Sequence, residues 1–296
     1  MKLHFRLPFL LGLLIFSYFG WDSIAGAGKI ATAFELNADQ VVWHHLSYRV
    51  KSILGKVTTD VLLKSVKVED GTETLITDPA GKALHPTGTT VFKLTVDSDI
   101  NPLFGSDEIL ETQSWFEPRG GAALQRIRLR RGKDKWQKIY RFTERGVFRL
   151  RKKPKDASEE NLAVDQWTKI RDHFYVYGDN RTGCSPILEP STLLYIVSAI
   201  NFETIQTPLS LYVFNKKQLH LVAVSVAGTH YLKVNYLAQQ GDNKSRVDRK
   251  IDTIKISFQP RPISPADREP EEFSFLGLKG NFDIFPIRLC LLRCGR

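Results

Sequence analysis

The stretch R-I-R-L-R-R-G-K-D-K-W-Q-K-I-Y-R-F, residues 126–142, decides the fold class of this chain. Ile127 and Leu129 alternate with arginines, and beyond a polar, turn-rich connection Trp136 and Phe142 share one face. Alternation with a period of two indicates β-strands that bury one face. We therefore predict two strands in this stretch, the first of which carries a row of arginines.

The same alternation recurs along most of the chain. Polar and turn-forming residues separate most of these runs, as expected of strands with one wet face in an antiparallel sheet. We predict a mainly β protein, built as an antiparallel curved sheet or half-barrel with one short helix. The other predicted strands lie around Leu46–Val50, Val57–Leu63, Phe92–Val96, Phe148–Leu150, Leu232–Tyr236 and Ile254–Phe258.

One segment departs from this pattern. Pro190 follows an acidic residue, and Leu193, Val197 and Ile200 have helical spacing. Proline in a first turn is a helix-start signal, so we predict a helix over about Pro190–Ile200 that covers the sheet. We also predict a loop over 240–248 and a tight hairpin turn at Gly228, because glycine tolerates positive φ.

The N-terminus has the three parts of a secretory signal peptide. Lys2 and Arg6 are followed by an uncharged run from Leu7 to Trp21, and small residues end in Ala25-Gly26-Ala27. This pattern predicts cleavage after Ala27 and a periplasmic location. The alternative is an uncleaved N-terminal membrane anchor. We divide the rest into a linker over 28–41, a β-rich domain over 42–285 and a tail over 286–296.

Four motifs together carry a resemblance to a known family. They are Asn101-Pro102-Leu103-Phe104 with the acidic segment after it, Pro190-Ser191-Thr192-Leu193, Ala227-Gly228-Thr229, and Phe275-Leu276-Gly277-Leu278-Lys279-Gly280. In order and spacing they resemble an uncharacterised family of bacterial periplasmic proteins, a β-rich domain of unknown function. The resemblance covers roughly Val42 to Phe285. It implies a fold akin to half-barrel carriers of lipids or lipoproteins and brings no catalytic residues.

The C-terminal tail departs from that family. Residues 286–296 have no sustained alternation and no acid, and they hold two of the three cysteines. We interpret the tail as a frameshifted or truncated terminus, which implies that a final strand is missing and a sheet edge is open.

The chain is basic, with a formal charge of +10. Loss of Lys2, Arg6 and Asp22 with the signal peptide removes a net charge of one and leaves +9. A basic exported protein is expected to meet anionic lipid head groups or anionic glycans, and export argues against nucleic acid as a partner.

The sharpest basic feature runs from Arg126 to Lys155, with fourteen Lys or Arg and two acids. We predict an anionic-ligand patch there, because arginine makes bidentate contacts with phosphate. A solvated outer face, neutralised by acids from elsewhere in the chain, is the alternative interpretation. The predicted patch consists of Arg126, Arg128, Arg130, Arg141, Arg149 and Arg151.

No pattern in the sequence predicts an enzyme. His44 and His45 are adjacent and would point to opposite faces of a strand, so we predict no metal site. A nucleophile elbow and a glycine-rich phosphate loop are also lacking, so we predict no catalytic residues and no cofactor. Three hypotheses remain: a non-enzymatic binding or carrier protein for a lipid, acyl chain or lipoprotein; an envelope assembly factor with a basic face; and a hydrolase with a dispersed site. The oligomeric state stays open.

Overall fold

A computed structural model describes residues 2–6, 36–52, 55–71, 75–76, 82–178, 185–202, 209–215, 217–263 and 287–292. It confirms the predicted class, a mainly β protein with a curved antiparallel sheet and one short helix. The strands are β1 Lys2–Arg6, β2 His45–Ser52, β3 Gly55–Lys67, β4 Thr90–Pro102, β5 Glu108–Phe116, β6 Ala123–Arg131, β7 Trp136–Phe142, β8 Gly146–Lys153, β9 Lys169–Val176, β10 Ile187–Leu188, β11 Leu209–Asn215, β12 Gln218–Gln240, β13 Asn243–Pro262 and β14 Ile287–Leu292.

The framework of the fold is a meander of eight strands. Strands β2 to β9 pair antiparallel in chain order, each with the next. On the other side of β2 the order continues through β1, β12, β11 and β10, and β13 and β14 extend it from β12. Two pairings are parallel, β1 with β2 and β10 with β11.

The helical elements are short. The first, α1, is a single turn at Val68–Gly71, and α2 spans Leu193–Ala199 directly after a 3-10 turn at Pro190–Thr192. Two further 3-10 turns lie at Ala38–Gln40 and Val164–Gln166. The 3-10 turn and α2 together confirm the predicted helix, whose first turn begins with Pro190. None of the described helices has the length and apolar character needed to cross a membrane.

One face of the curved meander packs on α2, and we name it the concave face. Val61 of β3 and Leu94 of β4 are fully buried in the same cluster as Leu193 and Ile196 of the helix. Each such side chain contributes about 1.5–3 kcal/mol to folding. A helix that is apolar all round is a core helix, and all residues of α2 except Ser198 are buried.

Two polar contacts fix α2 against the sheet. The Tyr195 hydroxyl donates to the Pro118 carbonyl at 2.7 Å, and Trp43 Nε1 donates to Ser198 Oγ at 3.0 Å. Burial raises the pKa of the Tyr195 hydroxyl well above its ordinary value, which keeps it a donor. These contacts hold the helix at two neighbouring positions, and it ends where Ile200 becomes extended.

Two sequence predictions about turns are wrong. Gly228 does not form a hairpin turn; it lies in a bulge of β12, where two residues stand between Val226 and Thr229 against one in β13. Its φ of +113° suits glycine, as the prediction assumed, but this backbone conformation belongs to a bulge and not to a turn. The predicted loop over 240–248 is a two-residue turn, because Gln240 already pairs with Asn243.

The chain termini bear on the predicted domain division. Lys2–Arg6, the basic start of the predicted signal peptide, is strand β1, while residues 7–35 lie outside the described residues. The tail, predicted to leave an open edge, contributes β14, which pairs antiparallel with β13. Cleavage after Ala27 and a frameshifted tail both stay predictions.

Candidate functional site

Three arginines of β6, Arg126, Arg128 and Arg130, lie on the concave face of the sheet, not on an outer face. Strand register places paired residues side by side, and one row runs from Leu63 and Leu94 through Ser114 to Arg126. It continues through β7 to Arg149 of β8. Since Leu94 packs in the core cluster with α2, Arg126 faces the same interior.

A second row of paired residues lies two residues further along each strand, and its side chains follow the same order of chemical types. It runs from Val61 and Val96 of the core through Thr112 to the cationic residues Arg128, Lys138 and Arg151. The concave face thus changes from apolar on β3 and β4, through small polar side chains on β5, to cationic on β6 to β8. We name Arg126, Arg128, Lys138, Arg149 and Arg151 the cationic cluster.

The side chains of the cluster range from half-buried to buried. Arg126 is 3% exposed, whereas Arg128, Lys138, Arg149 and Arg151 are half-buried. The second row ends in Arg171 on β9, an exposed residue on an edge strand. A charged, exposed edge strand resists pairing with other chains, and here it also continues the line of positive charge.

One buried acid faces the cluster. Nη1 of Arg126 lies 3.3 Å from Oε2 of Glu189, and the Glu189 side chain is fully buried. Glu189 directly precedes Pro190, so this pair links β6 to the start of the helical segment. The alternative interpretation of the sequence required acids from elsewhere in the chain, and such acids pair with this stretch: Glu189 with the buried Arg126, and Glu108 and Glu111 with Arg130 and Arg131.

Aromatic rings separate the cations. The guanidinium of Arg126 lies 4.5 Å from the centre of the Tyr140 ring, and that of Arg149 lies 5.2 Å from the centre of the Tyr175 ring. Arg128 and Lys138 share the ring of Trp136, at 5.6 and 4.3 Å. Such contacts stabilise a cation without consuming its hydrogen-bond donors, so the N–H groups remain able to bind a ligand.

The like charges perturb one another. Burial, followed by repulsion from Arg128, Arg151, Arg149 and Arg126, lowers the pKa of Lys138 from 10.5 to about 8. Burial and the neighbouring Arg126 lower the pKa of the Arg128 guanidinium to about 10, which still leaves it charged at neutral pH. A bound anion would offset the part of these shifts that comes from repulsion between like charges.

Several buried polar atoms of this face have no hydrogen-bond partner among the described residues. They belong to the cationic cluster and to the side chains beside it: Ser114 Oγ, Arg126 Nε and Nη2, Arg149 Nε, Arg151 Nε and Glu189 Oε1. Buried polar groups are normally paired, so a concentration of unpaired ones indicates a site that water or an ion completes. Fixed guanidinium donors suit an oxyanion.

The structure brings together four of the six predicted patch residues. Arg126, Arg128, Arg149 and Arg151 are in the cluster, while Arg130 lies one step further along β6 and donates to Glu108 at 2.5 Å. Lys138 was missed, although its spacing of two from Tyr140 puts it on the same face of β7.

Arg141 does not extend the ladder, which corrects that prediction. It pairs with Gln125, on the opposite face to Tyr140, and it is 2% exposed. Its guanidinium donates to the carbonyls of Leu124, Leu84 and Ile76 at 2.6, 2.5 and 3.2 Å. This arginine therefore ties the segments on the convex side to the sheet and has a structural role.

Within the described part of the chain, no three His, Cys, Asp or Glu side chains lie close enough together to hold a metal ion. No family model, no curated protein and no solved structure matches the chain.

Proposed function

We propose that this chain is an exported, non-enzymatic binding protein for an anionic lipid or acyl-chain ligand, whose head group is held by the cationic cluster. One observation carries the proposal: four half-buried cations lie on the same face of the sheet as a buried Arg126 that has two guanidinium nitrogens without a hydrogen-bond partner among the described residues. An oxyanion in contact with them would supply the missing acceptors and offset the mutual repulsion.

The order of residues along the concave face supports an amphiphilic ligand. The apolar half, with Val61 and Leu94, and the cationic half, with Arg126 and Arg128, belong to the same rows. Helix α2 covers the apolar half. An acyl chain would therefore have to insert between α2 and the sheet, which requires the packing of this helix to open. The resemblance of the sequence to half-barrel carriers and the predicted signal peptide agree with this proposal.

A second candidate is an assembly factor that binds an anionic envelope surface. Arg171 favours it, because it is exposed on edge strand β9 and continues the row of Arg151, and the exposed Lys169 lies two residues away on the same strand. The two candidate functions predict a different binding stoichiometry and a different dependence of binding affinity on salt concentration. Surface binding through exposed charges falls steeply with ionic strength, whereas an anion held by half-buried arginines is screened less.

The first test is native mass spectrometry of the protein purified from its own envelope fraction, followed by organic extraction and lipid analysis. We expect one anionic lipid per protein. Titration with alkyl phosphates of increasing chain length then asks whether the chain is bound, since each buried methylene adds about 0.8 kcal/mol. Affinity that does not change with chain length would contradict the acyl part of the proposal.

Variants locate the head group. Arg128→Gln and Arg151→Gln should each weaken alkyl phosphate binding by about tenfold or more, because a hydrogen bond to a charged group is lost. Arg49→Gln is the matched control, since Arg49 is exposed on β2, next in sequence to the inward Tyr48. Equal effects of all three variants would overturn the assignment of the cluster as the site.

A further inference from the structure

The carboxylate of Glu189 is an unusual neighbour for an anion site. Oε2 contacts Arg126 Nη1 at 3.3 Å and accepts from Ser191 Oγ at 2.9 Å. Oε1 is buried and has no partner among the described residues. The site thus offers unpaired donors on Arg126 and an unpaired acceptor on Glu189 side by side.

Ser191 and Arg126 hold the carboxylate of Glu189, and further hydrogen bonds fix the backbone from which it extends. The Thr192 hydroxyl donates to the Glu189 carbonyl at 2.8 Å, and the Thr192 amide donates to the same oxygen at 3.2 Å. Glu189 is extended and the 3-10 turn begins at the next residue, so the side chain leaves a fixed point of the chain. An acceptor fixed in this way can discriminate between ligands, because it cannot turn away from one that repels it.

The protonation state of an oxyanion decides whether it can bind next to the Glu189 carboxylate. Sulfate and phosphodiesters carry no proton near neutral pH and would place a negative oxygen against the Glu189 carboxylate. Inorganic phosphate always retains a proton there, and a phosphomonoester is singly protonated below its second pKa of about 6. A P–OH group can donate to Oε1 while its other oxygens accept from the arginines.

Resting on the proposed function, we propose that the cationic cluster selects an oxyanion that carries its own proton, namely phosphate or a phosphomonoester head group. Glu189 is the acceptor for that proton, and Arg126 binds the adjacent oxygens. The Glu189 side chain is thus a specificity-determining group as well as the counterion of Arg126.

The test is calorimetric titration of the full chain at pH 6 and constant ionic strength with sodium phosphate and with sodium sulfate. We expect phosphate to bind at least about tenfold more tightly, as one hydrogen bond to a charged group implies. In Glu189→Gln the negative charge is gone and the amide can donate, so we expect the preference to fall below about threefold through tighter sulfate binding. Equal affinities in the wild type would overturn the inference and leave the proposed function standing, whereas no binding of any anion or lipid would overturn both.

A second ligand pair needs no variant and guards against a poorly folded Glu189→Gln protein. Methyl phosphate should bind the wild type at pH 6, and dimethyl phosphate should bind at least about tenfold more weakly. Equal binding of the two would overturn the inference. A short-chain phosphatidic acid identifies the source of the phosphoryl group: tighter binding than inorganic phosphate, with competition between them, assigns a lipid head group, and equal affinity assigns free phosphate.

Discussion

Arg126 and Glu189 form a buried ion pair across 63 residues of chain, with Nη1 and Oε2 3.3 Å apart. The pair joins the middle of the meander to the residue from which the helical segment starts. Both side chains are almost completely inaccessible, at 3% and 0% exposure. A charge so far from water is tolerated only when it is paired, so each residue makes the other necessary.

We predict that Glu189→Ala lowers the free energy of unfolding by about 3–5 kcal/mol, because it leaves Arg126 as a buried, unpaired charge. The double variant Arg126→Met with Glu189→Leu should recover most of this loss, since it removes both charges and keeps apolar volume. Urea denaturation of the two variants measures the difference. A double variant no more stable than Glu189→Ala would show that the pair is not the cause.

Glu144→Ala is the control for that experiment. Glu144 lies 3.4 Å from Lys82, and both side chains are well exposed. Loss of a surface pair should change the free energy of unfolding by no more than about 1 kcal/mol.

Lys138 should make the stability of the ligand-free protein depend on pH in the alkaline range. Its pKa is lowered to about 8 in the folded protein from 10.5. Below pH 8 the lysine is charged in both states and repels its neighbours in the folded one. Between pH 8 and pH 10.5 Lys138 is protonated in the unfolded chain and neutral in the folded one, so the free energy of unfolding rises with pH.

Lys138→Met should remove this slope and raise the melting temperature at neutral pH, while it weakens phosphate binding. The measurement is a series of melting curves over the alkaline range for both proteins. A slope that persists in Lys138→Met would assign the effect to another group.

In the wild type at pH 8, phosphate binding should also take up protons, which calorimetry in two buffers of different ionisation enthalpy detects.

Arg141 and Arg149 should separate stability from binding. Arg141→Met leaves three backbone carbonyls without their donor, and we expect a loss of about 3 kcal/mol or more. Arg149→Met removes a cation from the cluster, so we expect weaker phosphate binding with little loss of stability. Denaturation and titration of both variants check the two halves of this prediction, and a reversal of the two effects would refute the division of roles.

Two glycines with the same backbone conformation test the packing of α2. Gly121 and Gly178 have φ of +71° and +78°, but a Cβ on Gly121 would lie 2.7 Å from Ile196 Cδ1, whereas one on Gly178 meets nothing within 4 Å. Gly178→Ala should cost about 1–2 kcal/mol from backbone strain alone. Gly121→Ala should cost about 1–3 kcal/mol more from the clash with the helix. Equal costs in thermal denaturation would show that α2 yields without penalty.

Several strands that the sequence predicts have one buried face. In β4 the burial alternates around Leu94 and Val96, as the residue pattern indicates. Strand β11, with the sequence L-S-L-Y-V-F-N, was missed because all seven of its residues are buried. A strand that is covered on both faces has no polar alternation to reveal it.

The site could be predicted only in part, for a related reason. The alternation of β6 shows that Arg126 and Arg128 share a face but not which face is inside. The answer depends on Glu189, which lies far away in the chain and reaches Arg126 only after the sheet has curved around α2. Local patterns contain no signal for such a contact, and they also gave no sign that Arg141 turns to the convex side.

Strand β1 gives the predicted export step a topological consequence. Its residues, Lys2–Arg6, would leave with a peptide cleaved after Ala27, and in the described chain they stand between β2 and β12. Because β1 runs parallel to β2 and antiparallel to β12, its departure would leave two facing strands in the orientation of an ordinary antiparallel ladder. Such a cleavage would change which strands of the sheet are neighbours, because β2 and β12 could then pair directly with each other.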